Sequence, residues 1–566
     1  MVADVPYQRV GTNSELNGLL FKYKLAKAVT LMSLAAVIIM ALSSLLFPDV
    51  VRGDKLLTDN AALRPDADTD SYGGIKTADD CRLPHKIVIT QSEDGSYTPP
   101  APHQSLLEAV NYVEKTDYAA YCASWDPSHG FSDEFPYNVD GECGNWQKKY
   151  TELHQRRMEQ LERIKSGDLE DFKNEKDKPR YISYLCKEVP TNGNRGCGGL
   201  ADRMSGMIST FFYALLTDRA YLAHWADGNP VPLEILFGQP NVNWTYEPQE
   251  MKHIFDKEND ALLNYQQVDT LNQKYPALKG ILFPDGPTQD FNNLWTGTYV
   301  EVRSNRAYIV RTFKESSIYP DILAKMGLNK INTFGCLTDY LFRPTIGSRR
   351  FINAYKHLFQ MESVLSIGMQ VGVGETGDIR TDDNAIVNPQ FDKNDLDKWD
   401  YFLTCANQLA SVKRKPHHKR VVYFLVTDSA KLRDHFVSMN ADRELAKKFI
   451  SDGHEDTSMV ITGLPIDHIE PDQVAKYINV TDPKDVNVHS MTPGVNSAVI
   501  ENWLLSYTDF RLISQQGYGK LAAFHAKSDD TTISMPRVTS KRRAPDCSKP
   551  EALTTYDWLS TQWSLG

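Results

Sequence analysis

The sequence has no excess of basic residues. Its 62 Lys and Arg residues are outnumbered by 73 Asp and Glu residues, which gives a formal net charge of -11 at pH 7. Because a nucleic-acid partner requires clustered cations that neutralise phosphates, this balance argues against nucleic-acid binding. The short basic run at 413–420 is interpreted as a solvated loop, with anion binding as the alternative.

The sequence also lacks the spacings that identify common metal and phosphate sites. None of its eight cysteines belongs to a CxxC pair. The glycine cluster at 196–199 is followed by Leu200 and Ala201, whereas a Walker loop requires Lys and then Ser or Thr. Gly196, Gly198 and Ala201 match a dinucleotide pattern, but the connection from the preceding strand is too long and polar for it.

One long apolar segment lies near the start of the chain. Residues 28–47 carry no charge and match the roughly 20 helical residues that cross a bilayer. Arg9 and three lysines precede the segment, so the positive-inside rule predicts a cytoplasmic tail at 1–27 and a transmembrane signal anchor at 28–47. A cleaved signal peptide is the alternative.

All of the cysteines and both sequons follow this segment. On the non-cytoplasmic side disulfides are permitted, although their pairing cannot be derived from the sequence. Asn243 and Asn479 stand in NWT and NVT sequons and are candidate glycosylation sites.

A polar stem is predicted at 48–104, where Asp, Pro, Thr and Ser dominate. The acidic run at 66–70 has the D-x-D form of a metal clamp, but its setting favours an acidic linker. The second D-x-D, Asp395 to Asp397, is interpreted as the start of a helix over 397–412.

Beyond the stem, helical and strand patterns alternate. Residues 105–176 are predicted to be mainly helical, with an amphipathic helix at 146–165, and a helix is predicted after the glycine cluster. That helix carries its apolar residues at helical spacing: Met204, Met207, Ile208, Phe211, Phe212, Leu215 and Leu216. Strands are predicted at 180–186, 220–225, 300–310, 364–373, 420–427 and 511–514. This alternation predicts an α/β fold.

Four collinear stretches carry a family resemblance. They are CGGLADRMSGMISTFFYALLTDRAYL, FGCLTDYLFRPT, VLSIGMQVG and NSAVIENWLLSYTDFRLISQQGYGKLAAF. Together they resemble the plant xyloglucan-type fucosyltransferase family over residues 183–526, and YALLTDR at 213–219 is the most specific piece.

The resemblance implies a GT-B-like fold, in which two Rossmann-like domains face a cleft. The expected boundaries are 105–350 for the helical region and acceptor-side domain, 351–530 for the donor-binding domain and 531–566 for a C-terminal tail. It also implies a type II Golgi membrane enzyme with a lumenal catalytic domain. Such an enzyme transfers L-fucose from GDP-fucose to a glycan or polysaccharide hydroxyl with inversion, without a metal or another cofactor. A homodimer is among the expected partners.

Carried over by position, the glycine loop lies on the acceptor side of the cleft. Gly198, Gly199 and Arg203 are expected there, with Ala201 and Asp202 in place of the family's Gly-Asn. The alternative is that the glycines only let the helix pack closely on its strand. Candidates for the base that deprotonates the acceptor hydroxyl are Asp202, Glu375 and Asp378.

The donor side departs from the family pattern. Gly372 replaces the arginine that the family is expected to use on the donor phosphates, and Arg380, Arg349 or Arg350 is a candidate substitute. A glycine-bearing turn before a helix still offers amides to a phosphate, and Lys520 would add a cation; the alternative is a flexible turn with an exposed lysine. The expected donor-binding residues are Gln370, Arg380, Asp428, His489, Ser514, Gly517, Tyr518, Gly519 and Lys520.

Two alternatives to fucosyl transfer remain at this level. The protein could use another nucleotide sugar, or it could be a catalytically silent relative that binds glycans, and Gly372 favours both. No motif with a pair of carboxylates indicates a glycosidase. Trp244 and Trp295 are candidates for stacking on acceptor sugars and equally for the core.

Overall fold

A computed structural model describes most of the chain from residue 86 onward. This includes the last part of the predicted stem at 48–104, which is wrong for residues 86–104 because Ile87 and Ile89 are buried in the body. The described residues are 86–126, 130–132, 141–173, 178–187, 198–227, 232–257, 260–372, 392, 394–450, 454–465, 488–536 and 543–564. All of them belong to one compact unit, 74–566. The predicted anchor at 28–47, the acidic run at 66–70 and Asn479 lie outside the described residues. Every helix within them is too short or too polar to span a lipid bilayer.

Strands of the described residues form two larger parallel sheets and two short antiparallel pairs. In chain order the strands are β1 (Trp125–Asp126), β2 (Gly130–Phe131), β3 (Tyr181–Lys187), β4 (Ala220–Asp227), β5 (Phe237–Gly238), β6 (Tyr265–Asp269), β7 (Tyr299–Arg303), β8 (Arg343–Pro344), β9 (Val364–Val371), β10 (Arg420–Thr427), β11 (Thr457–Val460), β12 (Phe510–Ser514) and β13 (Thr532–Met535).

Helices flank these sheets. In chain order they are α1 (Gln104–Val110), α2 (Lys115–Ala123), α3 (Gln147–Lys165), α4 (Leu200–Leu216), α5 (Pro248–Phe255), α6 (Tyr275–Leu282), α7 (Ile309–Glu315), α8 (Tyr319–Lys325), α9 (Thr333–Leu341), α10 (Ile346–Phe359), α11 (Leu396–Lys413), α12 (Ala430–Ser438), α13 (Arg443–Phe449), α14 (Val488–Ser506), α15 (Gly517–His525) and α16 (Tyr556–Ser564). The predicted α/β class is confirmed.

The first sheet has the strand order β4-β3-β7-β6, and its strands are parallel. The predicted strand at 300–310 is too long, because β7 ends at Arg303 and α7 begins at Ile309. A polar turn separates them, in which the Arg306 amide donates to Ser304 Oγ at 3.1 Å and Asn305 Oδ1 accepts from the Asn272 amide at 2.9 Å. The first of these bonds is local and the second reaches the loop after β6, and both satisfy polar groups of the turn outside the strand ladder.

The second sheet has the order β11-β10-β9-β12-β13 and is parallel throughout. Numbered by their succession along the chain, its strands follow the order 3-2-1-4-5 of a doubly wound sheet. The predicted strand at 420–427 is confirmed to the residue, whereas the one at 364–373 ends at Val371.

The C-terminal segment needs a correction. We expected a tail from residue 531, but β13 (Thr532–Met535) extends the second sheet by pairing with β12. Ile533 and Met535 are buried there, and the Thr554 amide donates to the Thr532 carbonyl at 2.7 Å. Residues 532–536 and 543–564 are therefore part of the folded body.

Helix α4 buries the apolar face that its spacing predicted, with Leu216 half-buried. It packs against α15, and α9 packs against both. Between α4 and α9 the rings of Phe211 and Tyr340 stack at 5.4 Å, and between α9 and α15 the rings of Phe334 and Phe524 lie 5.7 Å apart. One hydrophobic cluster consequently runs from the first sheet into the second.

Disulfides tie loops to this body. Cys143 pairs with Cys336 of α9, and Cys405 of α11 pairs with Cys547 beyond β13. Cys122 is disulfide-bonded as well. Such cross-links between distant residues restrict the unfolded chain more than the folded one, so they stabilise the fold. The expectation that disulfides form in this chain is confirmed.

A charged cluster joins α9 to α15. Asp339 Oδ1 contacts His525 Nε2 at 2.7 Å, and Lys527 Nζ donates to Asp339 Oδ2 at 2.8 Å. Burial would raise the pKa of the Asp339 carboxyl, but His525 and Lys527 outweigh it and hold that pKa below its ordinary value of 3.8. The ionised carboxylate thus contributes to the contact between these two helices.

Asp339→Asn should lower the free energy of unfolding at pH 7 by about 2 kcal/mol, because charge-assisted bonds to His525 and Lys527 are lost. A carboxyl with a depressed pKa stabilises the fold above its unfolded value of 3.8, and this contribution is lost as the pH falls below that value. Unfolding in urea across pH 7 to pH 3 should therefore show the two proteins converging in acid. Asp285→Asn, at an exposed carboxylate, is the control. A constant difference down to pH 3 would contradict the assignment.

Candidate functional site

The second sheet contains a point at which the strand order reverses. The first of its strands, β9, lies beside β12, while the following strands β10 and β11 extend to the other side. The carboxyl ends of two strands that diverge in this way leave a crevice where ligands of doubly wound proteins bind. Gln370 and Gly372 lie at the end of β9, and Ser514 ends β12.

A chain of hydrogen bonds crosses this crevice. The Gly372 amide donates to Ser514 Oγ at 3.3 Å, and Ser514 Oγ donates to Gln370 Oε1 at 2.8 Å. Gln370 Nε2 in turn donates to Gln516 Oε1 at 2.9 Å. The turn between β12 and α15 is thereby bound to β9 through neutral groups. Gln370 and Ser514, which the sequence predicted as donor-binding residues, are brought together here.

Gly372 and Gly519 allow close approach in the crevice. A Cβ at residue 372 would overlap the side-chain amide of Gln516, so that amide occupies the space a side chain at 372 would need. A Cβ at residue 519 would lie 2.7 Å from Gln370 Oε1 and 2.7 Å from Ile513 Cβ. A side chain at residue 372 would have to displace the Gln516 amide, and one at residue 519 would also overlap Ile513 next to the backbone.

The predicted substitutes for the missing arginine are only partly described. Arg349 donates to the Pro344 carbonyl at 2.7 Å, and Arg350 donates to the Thr90 carbonyl at 3.3 Å. These bonds give each guanidinium a structural partner. Arg380 lies outside the described residues, as do Glu375 and Asp378, so their expected roles stay predictions.

Helix α15 begins at this crevice. Its N-cap residue Gln516 makes no side-chain bond to the helix, so the amides of the first turn, Gly517 to Gly519, are not capped by it. Lys520 is 3% exposed, with Nζ 3.5 Å from the Gln515 carbonyl oxygen. The alternative of an exposed lysine is wrong, because the side chain is buried in the first turn.

Tyr518 uses its side chain for packing. Its hydroxyl donates to the Ala498 carbonyl at 2.6 Å, and its carbonyl accepts from Asn502 Nδ2 at 2.7 Å. Burial raises the pKa of the Tyr518 hydroxyl, and the nearby Glu501 adds to the effect. This residue fixes α15 against α14, so its amide is the group left for the predicted donor contact.

Asp428 and His489 occupy the ends of neighbouring elements. Thr427 pairs with Val371, which places the half-buried Asp428 beside Gly372 at the carboxyl edge of the sheet. The next residue, Ser429, caps α12 by accepting from the Leu432 amide at 3.1 Å. His489 lies in the first turn of α14, and its side chain is outside the described part of the structure.

A buried ion pair that sequence reasoning missed supports this edge. Arg433 Nη2 lies 2.7 Å and 3.0 Å from the two carboxylate oxygens of Glu501. The same guanidinium donates to the Thr427 carbonyl at 3.1 Å and to the Leu464 carbonyl at 2.6 Å. Burial raises the pKa of Glu501, and Arg433 opposes that shift. The sequence signal that could have indicated a buried ion pair is a Glu residue within the apolar run VIENWLL.

The first sheet has its own point of reversal, between β3 and β7. Gly198 stands near it with φ +74°, and its carbonyl accepts from Arg203 Nε at 2.9 Å. Arg203 is fully buried, and its guanidinium lies 4.8 Å from the Trp225 ring. Arg203 thus anchors the loop through the Gly198 carbonyl, and its expected place on the acceptor side stays a prediction. Gly199 is the N-cap residue of α4.

Asp202 lies against this glycine loop. A Cβ at residue 198 would overlap the Asp202 carboxylate. Burial lowers the pKa of the nearby Arg306, while the charge of Asp202 raises it, so the two groups interact. A different glycine, Gly206 within α4, packs closely, since a Cβ there would overlap the Ser304 carbonyl oxygen; the close-packing alternative for the loop glycines themselves is not decided by it.

Other sequence candidates are settled by burial. Trp244 is completely buried and donates to the Leu341 carbonyl at 3.0 Å. Trp295 is 3% exposed and stacks on Tyr213 at 4.1 Å. Both are core residues, so stacking on an acceptor sugar is wrong for them. Asn243 is exposed, as a glycosylation site requires. Within the described residues no group of three or more His, Cys, Asp or Glu side chains could hold a metal ion.

Two parallel sheets, each with a crevice where the strand order reverses, define a doubly wound α/β protein. In sequence the chain is similar to fucosyltransferase 3 of Arabidopsis thaliana, with 25% identity over 295 residues, which are 48% of this chain and 51% of that protein. The chain thus spans about half the length of the curated relative that it matches. The resemblance to plant fucosyltransferases predicted from the motifs is confirmed. No family model matches the chain.

Solved structures of fucosyltransferases show a distant likeness. A mutant of Arabidopsis thaliana FUT1 in complex with GDP is 15% identical, with 72% of this chain and 81% of that chain covered at a TM-score of 0.44. The fucosyltransferase NodZ from Bradyrhizobium is 12% identical, with 61% and 91% covered at a TM-score of 0.31. At such TM-scores a likeness supports no conclusion about this chain.

Gly198→Ala should lower the free energy of unfolding by about 1–2 kcal/mol, since an alanine at φ +74° is strained and would displace Asp202. Gly280→Ala is the matched control, because a Cβ there, in helix α6, meets nothing within 4 Å. That control should leave the stability unchanged or raise it. Chemical denaturation of both variants provides the measurement, and equal effects would show that the loop conformation does not require Gly198.

Arg433→Met should destabilise the protein by about 3–5 kcal/mol, because it leaves the buried Glu501 carboxylate without its partner. Arg433→Met combined with Glu501→Leu should regain most of that loss, since no charge then remains buried. A double-mutant cycle in urea measures the coupling. Additive effects of the two substitutions would mean that the pair does not act as a unit.

Proposed function

We propose that this protein is a glycosyltransferase that transfers L-fucose from GDP-fucose to a hydroxyl of a glycan or polysaccharide. The observation that carries the proposal is the turn from Ser514 to Lys520. It places a helix start, a buried lysine and a polar network at the reversal point of a parallel sheet. The similarity to a protein named as a fucosyltransferase supports the choice of sugar.

The turn suits a nucleoside diphosphate. The first-turn amides of α15 and the helix dipole both favour an anion at this end of the helix. Lys520 adds a positive charge in the same turn, and because it is 3% exposed, little water screens it. As fucosyl transfer proceeds, negative charge builds on the departing GDP. These groups would stabilise that charge in the transition state.

In this proposal the acceptor hydroxyl is activated by a residue beside the crevice of the first sheet. Asp202, which faces the glycine loop, is the described base candidate, and Glu375 and Asp378 remain candidates outside the described residues. The base would take the proton of the acceptor hydroxyl while the oxygen attacks the anomeric carbon and the bond to GDP breaks. A single displacement of this kind inverts the anomeric configuration. Deprotonation by a side chain and charge stabilisation by amides and Lys520 require no metal.

The cellular setting belongs to the same proposal. We place the enzyme in the Golgi membrane as a single-pass type II protein, with its donor and acceptor sites facing each other across a GT-B cleft in the lumen. The apolar segment 28–47, the disulfides and the exposed sequon at Asn243 support this setting, because disulfides persist in oxidising compartments. A homodimer is part of the proposal.

A second candidate function is favoured by Gly372. Because Gln516 fills the space of a side chain at this position, residue 372 itself supplies no cation to the crevice. A crevice of this kind suits either a different nucleotide sugar or a silent relative that binds glycans. Binding measurements separate these candidates. An enzyme with a different donor should bind the nucleotide of that donor most tightly, whereas a silent relative should bind no nucleotide.

Lys520→Met should weaken GDP binding by about 10- to 100-fold, because the charge is removed while the buried stem is largely kept. Calorimetric titration of the purified protein with GDP, GDP-fucose, GDP-mannose and UDP-sugars, in the presence of a chelator, measures the effect. Lys415→Met, at an exposed lysine, is the control and should bind as the unaltered protein does.

Chelator-resistant binding of GDP and GDP-fucose in preference to UDP-sugars would support the proposed donor. A folded protein that binds none of these nucleotides would contradict the proposed function. Equal affinity of the unaltered protein and Lys520→Met would remove Lys520 from the donor site.

A further inference from the structure

We propose that Gln516 presents its side-chain NH₂ group to the donor diphosphate and thereby sets the nucleotide affinity of this protein. The inference rests on the proposed function. It concerns a residue that no sequence pattern distinguishes, since Gln515 and Gln516 are neighbours of the same type.

The hydrogen-bond chain determines which way the Gln516 amide points. It starts at the backbone N–H of Gly372, which can only donate, so Ser514 Oγ must accept. The single hydroxyl hydrogen of Ser514 is then directed to Gln370 Oε1, the nearer acceptor at 2.8 Å, with Gln516 Oε1 at 3.2 Å. The opposite end of the Gln370 amide is consequently its NH₂ group.

The next hydrogen bond determines the orientation of the Gln516 side-chain amide. Gln370 Nε2 is 2.9 Å from Gln516 and requires an acceptor, which only Oε1 of that amide can supply. Gln370 is 4% exposed, so packing holds its orientation. With Oε1 accepting from Gln370, Nε2 is the remaining end of the Gln516 amide, and a Cβ at residue 372 would overlap it. A directional series that begins with a backbone donor thus ends with a side-chain donor at the crevice.

The position of this NH₂ group suits a hydrogen bond to a bound phosphate. Gln516 is the residue directly before the uncapped first turn of α15, and its amide covers Gly372 at the end of β9. A phosphate bound at the helix start would therefore meet the NH₂ group from the side and Lys520 from the same turn. Because the amide is neutral, its contribution depends little on ionic strength, whereas the contribution of a cation falls with salt.

Three variants test the assignment in the full-length protein, with GDP as the probe in calorimetric titrations. Gln516→Met keeps the shape and removes the donor, and it should weaken GDP binding about tenfold. Gln516→Glu keeps the shape and places a carboxylate against the phosphate, and it should weaken binding by more than the methionine does. Gln515→Met, at the exposed neighbouring residue, is the matched control and should bind GDP as the unaltered protein does.

A fourth variant tests whether a side chain at residue 372 and the Gln516 amide compete for the same space. Gly372→Ala should displace the Gln516 amide and weaken GDP binding to the level of Gln516→Met, and the two changes combined should cause no further loss. In addition, the relative loss in Gln516→Met should be the same at low and high salt, which a merely structural disturbance of Lys520 would not produce.

Tight GDP binding by a folded Gln516→Met protein would overturn this inference and leave the proposed function intact. Additive losses in the combined variant would likewise overturn it. If the unaltered, folded protein binds no GDP, the proposed function fails and the inference fails with it. The two failures are thus distinguishable in one set of titrations.

Discussion

Contact between helices α4 and α15 is the constraint on which the candidate site depends. Each helix follows the reversal point of its own sheet, α4 after the glycine loop and α15 after the Ser514 turn. Because they pack against each other and against α9, the two crevices share one core of buried side chains. The contact between Asp339 and His525 adds a polar interaction at the C-terminal end of α15. Residues of the two crevices, which come from distant parts of the sequence, are thereby held by one connected core.

Elements with a strong pattern and deep burial were predictable from the sequence. Helix α4 and strand β10 are buried along most of their length, so hydrophobicity alone identifies them. Strand β6 was missed because it lies at the edge of its sheet and buries only Val268 of its five residues. Edge strands show little hydrophobic pattern, since one side of the ladder faces solvent. Strand β13 was missed because it is short and follows a polar stretch.

The candidate site also has a part that was predictable from the sequence and a part that was not. The family motifs selected Gln370 and Ser514, and the glycine turn before a helix selected Lys520; the structure places all three near the ends of β9 and β12, while their donor-binding roles stay predictions. The role of Gln516 was not available from the sequence, because its partner Gln370 lies 146 residues away. The buried roles of Arg203, Trp244 and Trp295 likewise depend on tertiary packing. Residue type and local pattern indicate where a site lies, whereas orientation and burial require the fold.

The position of β13 has a consequence for biosynthesis. The first sheet is complete once residue 303 has been synthesised, but the second needs residues 532–535 and the cysteine at 547. In the interval the first half can fold while the face of α4 that belongs against α15 has no partner and stays apolar and exposed. Such surfaces attract chaperones or aggregate. The second sheet is therefore completed only after all residues of the first sheet and of α4 have been synthesised.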